Sequence, residues 1–228
     1  MILTGLEKKL GLFSLCIDKI AIPGPGIYGI IGPNGSGKTT LAKLMAGLLD
    51  PDRGMIDTEG LAYKDITFFS RKPYMMNDTV YNNLIYPLKL RNIKPDPALT
   101  AAALDSMGFS GRGKQKARSL SGGEQQKLAF LRALIFSPKF IIADEAMTAM
   151  DMDSLELFEN MILEGQKSTP RTWIIISHQM PQIKRLCDHV FFMYQGRIEA
   201  EGSAADIFSR ISDPRLMQYL RSYGGEVI

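Results

Sequence analysis

The sequence predicts an α/β fold in which a mainly parallel sheet is interrupted by a mainly helical insertion. Three observations carry that prediction. An apolar run at residues 27–31 passes through a glycine-rich loop into residues 40–46, which combine helical spacing with good helix formers. From Phe140 onward, short apolar runs alternate with helical stretches, as strand–helix–strand units do. Between the two halves, over about residues 71–138, strand signal is scarce and helix start and stop signals take its place.

Taken in order, Phe13, Leu15, Ile17, Ile20 and Ile22 indicate a strand with one buried face, and Pro23-Gly24-Pro25-Gly26 a turn. The strand at 27–31 and the helix at 40–46 come next, and Asp50-Pro51-Asp52-Arg53-Gly54 makes a second turn. Residues 55–58 and 66–69 read as short strands. Inside the insertion a helix starts near Val80, and Pro87, which has no amide proton, ends or kinks it. Asp96-Pro97 opens a further helix that Gly108 closes after Met107. Strands are then expected at 140–143, 173–176, 190–193 and, more polar, 197–201. Helices are expected at 154–163, at 182–186 and from Ala204 onward, with a break at Pro214. There is no internal repeat and no linker.

Composition narrows the class. A chain of 228 residues with 45% hydrophobic and 22% charged residues suits one globular α/β domain. A net charge of +3 is too small to argue for a nucleic-acid partner. The apolar stretch at 20–31 is broken by Pro23 and Pro25, so no membrane span is expected. Glu7, Lys8 and Lys9 have no long apolar segment behind them, so no signal peptide is expected either. Cys16 and Cys187 lack metal-ligand spacing and are expected as core thiols in a reducing compartment.

The glycine loop reads Gly32-Pro33-Asn34-Gly35-Ser36-Gly37-Lys38-Thr39, or G-x-x-x-x-G-K-T. Strand, glycine loop and helix in that order form the context of a phosphate loop. Glycines tolerate positive φ and put no Cβ in the way, so successive N–H groups can point inward at a polyanion. The helix that follows, from Thr40 onward, adds its positive dipole end. Lys38 is expected to reach the β- and γ-phosphates and the Thr39 hydroxyl to bind Mg²⁺. A plain glycine turn before an ordinary helix would need neither the lysine nor the threonine.

Two further stations carry chemistry. Asp144-Glu145 closes the apolar strand at 140–143, at the sheet edge where open α/β folds place their sites. Asp144 is expected to hold Mg²⁺, directly or through water, and Glu145 to polarise a water for in-line attack on the γ-phosphate. Leu120-Ser121-Gly122-Gly123-Glu124-Gln125-Gln126-Lys127 precedes a helix through Leu128, Leu131, Leu134 and Ile135. Ser-Gly-Gly at a helix start can bind an anion, and Ser121 with Glu124 can form a capping box; both can hold at once.

These stretches, in this order and separation, resemble the ATP-binding cassette ATPases of membrane transporters, over essentially the whole chain. The resemblance implies a P-loop NTPase (RecA-like) core with a mainly parallel sheet, an antiparallel β subdomain and a helical subdomain inserted at about 71–138, all within one nucleotide-binding domain spanning 1–228. It implies ATP and Mg²⁺ as ligands. Asp151, six residues after Glu145, matches the D-loop aspartate, and His178, after Ile174-Ile175-Ile176-Ser177, matches the switch histidine. Two such cassettes stack head to tail, so that ATP lies between the phosphate loop of one and Ser121 and Gly123 of the other. The implied partners are therefore a second nucleotide-binding subunit, as a homodimer, and integral membrane permease subunits that contact the helical insertion. The implied place is the cytoplasmic face of the cell membrane.

Three departures from the family pattern stand out. The Q-loop glutamine is missing: Arg71 falls at its position, and the chain has no glutamine before Gln115. A guanidinium donates only, so Arg71 could meet a phosphate or an acidic residue of the partner but could not ligate Mg²⁺. The adenine-stacking ring is open between positions, with Leu10 in register and Phe13 the nearest aromatic. After Glu145 the chain reads Ala146-Met147-Thr148-Ala149-Met150-Asp151, without the family's proline. Residues 111–118 lack the Glu-rich stretch of exporters, which favours an importer, and residues 79–91 are similar to tungstate-type oxyanion importers. The alternatives are a soluble cassette ATPase uncoupled from transport, or a regulatory ATP-binding module with low turnover. Tyr74, Tyr81, Tyr86 and Leu84 suit either a docking groove or a helix core.

Overall fold

A computed structural model describes residues 1–148, 150–209 and 213–223. In chain order, β1 (Ile2–Leu10) and β2 (Phe13–Ala21) precede β3 (Gly26–Ile31), α1 (Lys38–Met45), β4 (Arg53–Asp57) and β5 (Ile66–Ser70). Three α-helices follow, α2 (Val80–Leu90), α3 (Pro97–Ser106) and α4 (Gly122–Leu134). The rest alternates: β6 (Phe140–Asp144), α5 (Met152–Ser168), β7 (Thr172–Ile176), α6 (Met180–Leu186), β8 (His189–Tyr194), β9 (Arg197–Ser203), α7 (Ala204–Ser209) and α8 (Pro214–Ser222).

The apolar runs make a six-stranded sheet in the order β5-β6-β7-β3-β8-β9, parallel except for the β8–β9 pair. β3, β6, β7 and β8 are buried on both faces, which is why they read as unbroken hydrophobic runs. Alternate residues divide between two cores. Ile27, Ile31, Ile141, Ala143, Trp173, Ile175, Val190 and Phe192 face one core, which they share with residues of α2 to α8. Ile30, Ile142, Ile174, Ile176, Phe191 and Met193 face the other, with α1 and the antiparallel sheet β2-β1-β4. Each fully buried Ile or Phe contributes roughly 1.5–3 kcal/mol relative to exposure. Val80, Leu84, Leu104, Phe109, Leu128 and Phe130 of the helical segment join the first core, so that segment packs continuously with the sheet.

Several elements depart from the sequence-based expectation. β1 was not expected, because its buried Leu3 and Leu6 are three residues apart. Gly5 sits between them at φ 57°, and the register with β4 shifts between Thr4 and Glu7. That bulge hides the period-two signal of a strand. α2 runs through Pro87 to Leu90, since burial of Leu84, Ile85 and Leu88 carries it past the missing hydrogen bond. Arg91 Nη1 also donates to the Pro87 carbonyl at 3.1 Å. Cys187 is a core thiol, whereas Cys16 is only half-buried and lines a polar groove with Arg197 and Glu199. Leu84 is fully buried, while Tyr74 and Tyr86 are exposed.

Candidate active site

The glycine loop joins β3 to α1 and opens on a cleft flanked by Phe13 on one side and Glu145 on the other. Its geometry explains its composition. Gly37 stands at φ 103° as the N-cap of α1 and provides no side-chain cap, so the helix start keeps its free N–H groups. A Cβ on Gly37 would come within 2.6 Å of Phe13 Cζ, and one on Gly32 within 2.0 Å of the Met193 carbonyl oxygen. Lys38 is buried at the first turn and donates to the Gly32 and Pro33 carbonyls at 2.8 Å each. Burial lowers its pKa, and the charges of Glu145 and Asp144 pull it back up. Ser36 Oγ is buried without a partner. Gly35 and Asn34 line the cleft mouth with Thr39 and Thr40.

Thr39 Oγ1 donates to Asp144 Oδ2 at 2.7 Å, joining the start of α1 to the end of β6. Burial raises the Asp144 pKa; the Thr39 hydrogen bond opposes this, and the Glu145 charge adds to the rise. The parallel sheet brings β6 and β7 side by side in register, with Asp144 opposite Ile176, which is how Glu145 and His178 meet. His178 Nε2 lies 2.9 Å from Glu145 Oε1. The contact is close but off the line of a hydrogen bond, leaving Nε2 buried without an aligned partner. Burial holds the His178 pKa below its ordinary value, aided by the charge of Lys38 and opposed by Glu145. The ring is therefore neutral at pH 7.

Glu145 itself occupies the left-handed region, at φ 51°. Such a backbone costs a non-glycine residue about 1 kcal/mol or more. Hydrogen bonds on both sides hold it: Glu145 N–H donates to the Ile176 carbonyl at 2.9 Å, and Arg71 N–H to the Asp144 carbonyl at 3.1 Å. The Arg71 side chain turns back on its own chain, with Nη1 4.0 Å from Glu145 Oε2 and more than half exposed. The Arg71 carbonyl accepts a hydrogen bond from Gln126 Nε2 of α4 at 3.0 Å, while Gln126 Oε1 is buried with no partner.

Ser121, Gly123 and Asp151 stand apart from this cluster, outside the cleft lining. Ser121 caps α4 in a reciprocal capping box, accepting from Glu124 N–H at 3.3 Å and donating its own N–H to Glu124 Oε2 at 2.8 Å. Arg112 Nη1 approaches Glu124 Oε1 to 2.6 Å. A Cβ on Gly122 or Gly123 would meet nothing within 4 Å, so this helix start faces open space. Asp151 caps α5, accepting from Ser154 N–H at 2.8 Å. Ala149, in the same loop, lies outside the described residues.

Of the two side chains weighed for packing on the adenine, Phe13 lines the cleft and Leu10 does not. Sequence reasoning missed two groups. Gln126 sits inside a recognisable motif, but its bond to Arg71 joins residues 55 apart. Tyr219 of α8 places its hydroxyl 3.3 Å from His178 Nδ1, and no local pattern predicts that contact.

The residues present fit a magnesium nucleotide. A buried lysine, a helix start with no side-chain cap and a hydroxyl–carboxylate pair supply cationic, N–H and oxygen groups at one point. Among the described residues no group of three or more His, Cys, Asp or Glu could cage a metal alone. The Thr39–Asp144 oxygen pair suits Mg²⁺, which takes one or two protein oxygens and completes its shell from phosphate and water.

Comparison with known proteins agrees with this geometry. The family model described as ABC transporter matches residues 19–148. The chain is similar to the tungstate uptake system ATP-binding protein TupC of Peptoclostridium acidaminophilum, 35% identical over 207 residues that cover 87% of this chain and 97% of that protein. It is 30% identical to the methionine import ATP-binding protein MetN of Caulobacter vibrioides over 216 residues, covering 88% of this chain and 65% of the relative. A dimeric ATP-binding cassette in a post-hydrolysis state, bound to ADP and Pi, shares the fold with a TM-score of 0.77 at 22% identity, over 90% of this chain and 99% of that one. A family match over more than half of the sequence and a relative aligned along nearly its full length make this chain a member of the ABC transporter family, as an ATPase domain.

Proposed function

We propose that this chain is the ATP-binding and ATP-hydrolysing subunit of a membrane importer, working as a pair of copies that close around ATP. The observation that carries the reading is the convergence of Lys38, Thr39, Asp144, Glu145 and His178 on one cleft, while Ser121 and Gly123 face outward. Lys38 and the loop from Gly32 to Thr40 bind the triphosphate. Thr39 and Asp144 hold Mg²⁺, which when bound neutralises phosphate charge. Glu145 accepts a proton from the attacking water, and His178 offers Nε2 to the γ-phosphate side of the cleft. Phe13 stacks on the adenine. Ser121, Gly123 and Asp151 serve the nucleotide of the opposite copy.

Import rather than export is supported by the names of the relatives, a tungstate uptake and a methionine import protein. The stronger match to the former favours an oxyanion cargo. Residues 71–138 form the helical subdomain that meets the permease, where exposed Tyr74, Tyr86, Leu90 and Leu99 offer apolar contact. No described helix is long and apolar enough to cross a membrane, which fits a peripheral subunit at the cytoplasmic face. A low-turnover regulatory module is the second reading, favoured by the Arg71 guanidinium beside Glu145.

Glu145→Gln tests the first reading. The amide keeps the shape but cannot take a proton, so ATP binding is retained and turnover falls by roughly 10²–10⁴. Size exclusion with ATP and Mg²⁺ should show a stable dimer of the variant. Wild-type turnover by the variant would sink the assignment.

A further inference from the structure

Tyr219 of α8 touches the site from behind and has no place in the mechanism above. It is 6% exposed. Its ring packs on Phe192 of β8 at 5.5 Å between centroids, which fixes the hydroxyl to the sheet rather than to solvent. We propose that Tyr219 is a positioning residue for ATP hydrolysis: its hydroxyl donates to His178 Nδ1 and thereby fixes the imidazole as the Nε2–H tautomer facing Glu145. The proposal rests on the role given to His178 above.

The chemistry runs along a short chain of groups. Tyr219 Oη lies 3.3 Å from His178 Nδ1. Burial raises the Tyr219 pKa to about 12, against a hydrogen bond with the Gly32 backbone that lowers it. The phenol is thus held protonated and has a proton to give. On the far side of the ring Nε2 faces the acceptor-only Glu145 carboxylate at 2.9 Å, which favours the proton on Nε2 and leaves Nδ1 to accept from Tyr219. A neutral imidazole that accepts at Nδ1 carries its proton on Nε2. Tyr223 closes the arrangement by stacking on the imidazole, 5.3 Å between centroids and 24° between planes, and it also packs on Tyr219 at 4.7 Å.

The tautomer decides what the cleft presents. Nε2–H gives the γ-phosphate and the Glu145 carboxylate a donor. The other tautomer would aim a lone pair at two anions. The unaligned contact of Nε2 with Glu145 Oε1 leaves that proton available to an incoming phosphate oxygen.

The test uses the chain's small histidine count. His178 and His189 are its two histidines, so both imidazoles resolve in a long-range ¹H–¹⁵N spectrum of labelled protein. In the nucleotide-free wild type, His178 should show the Nε2–H tautomer alone. Finding its proton on Nδ1 overturns the proposal with no variant needed. Tyr219→Phe keeps the ring and removes the hydroxyl. It should give mixed tautomers at His178 and a kcat lower by about tenfold, with KM for ATP and thermal midpoint unchanged. An unchanged kcat or an unchanged tautomer overturns it. His178→Ala separates the two readings: wild-type turnover there would remove the role of His178 itself, whatever Tyr219 does.

Discussion

Two helix starts in this chain carry an anion-binding sequence, and their surroundings differ in nearly every respect. At α1 the N-cap is Gly37, with no side-chain cap and no acid in the first turn, and a buried lysine stands at the first position. Its own chain brings Asp144, Glu145 and His178 alongside. At α4 the N-cap Ser121 is engaged in a capping box, Glu124 sits in the first turn and Arg112 holds that glutamate. Both ends share the same orphan N–H groups and the same dipole. One is completed within its own chain. The other has partly satisfied itself, places a carboxylate against its positive end and faces open space. The lesson is that α4 should bind phosphate poorly alone and well only when a second copy presents a nucleotide already held by Lys38.

Paired substitutions can break that contrast. Lys38→Ala should weaken ATP binding to the isolated chain by about 100-fold or more, because a buried triphosphate loses its cationic partner. Calorimetric titration reads it, and unchanged affinity would discard the phosphate-loop assignment. Ser121→Arg should leave that affinity within about twofold while steady-state hydrolysis falls at least about tenfold, since bulk at α4 obstructs closure and not the resident site. Loss of nucleotide binding in monomeric Ser121→Arg would mean that the two helix starts serve one site in one chain.

A smaller effect sharpens the comparison at the boundary between the halves. Arg71 donates only, and its guanidinium stands 4.0 Å from Glu145 Oε2, where it would compete for the carboxylate proposed to meet water. It is largely exposed, so solvent screens the attraction and the effect should be modest. Arg71→Gln should raise ATPase activity several-fold, about 1 kcal/mol in barrier. Rates equal to wild type, with and without permease, would show that Arg71 does not restrain Glu145.

Much of this was legible in the sequence because the phosphate loop and the acidic pair are local signals. Residues 32–39 contain both the glycines and the lysine, and Asp144-Glu145 closes an apolar strand. The buried runs at β3, β6 and β7 announced themselves because a two-faced sheet needs no alternation. β1 escaped because one bulge at Gly5 shifts its period. The choice between Leu10 and Phe13 was not legible, because the hairpin pairs the two and only tertiary packing sets Phe13 against Gly37. The turn of Arg71 toward Glu145 was not legible, because it depends on β5 and β6 lying side by side. Tyr219 is 41 residues from His178, and only tertiary packing of α8 joins them.

The Gln126 side chain has a consequence for how two copies would share their work. It ties α4, three residues after Gly123, to the Arg71 carbonyl, and the Arg71 N–H is bound to the Asp144 carbonyl. Two hydrogen bonds thus separate the α4 start, proposed to meet a neighbour's nucleotide, from Asp144, proposed to serve the chain's own. The Gln126 amide bond is the link through which a shift of α4 would reach Arg71. In the proposed closed pair that link would couple the affinities at the two sites, and by linkage the coupling would act equally in both directions. Hydrolysis plotted against ATP concentration should rise more steeply than a single-site curve, and Gln126→Leu should flatten it.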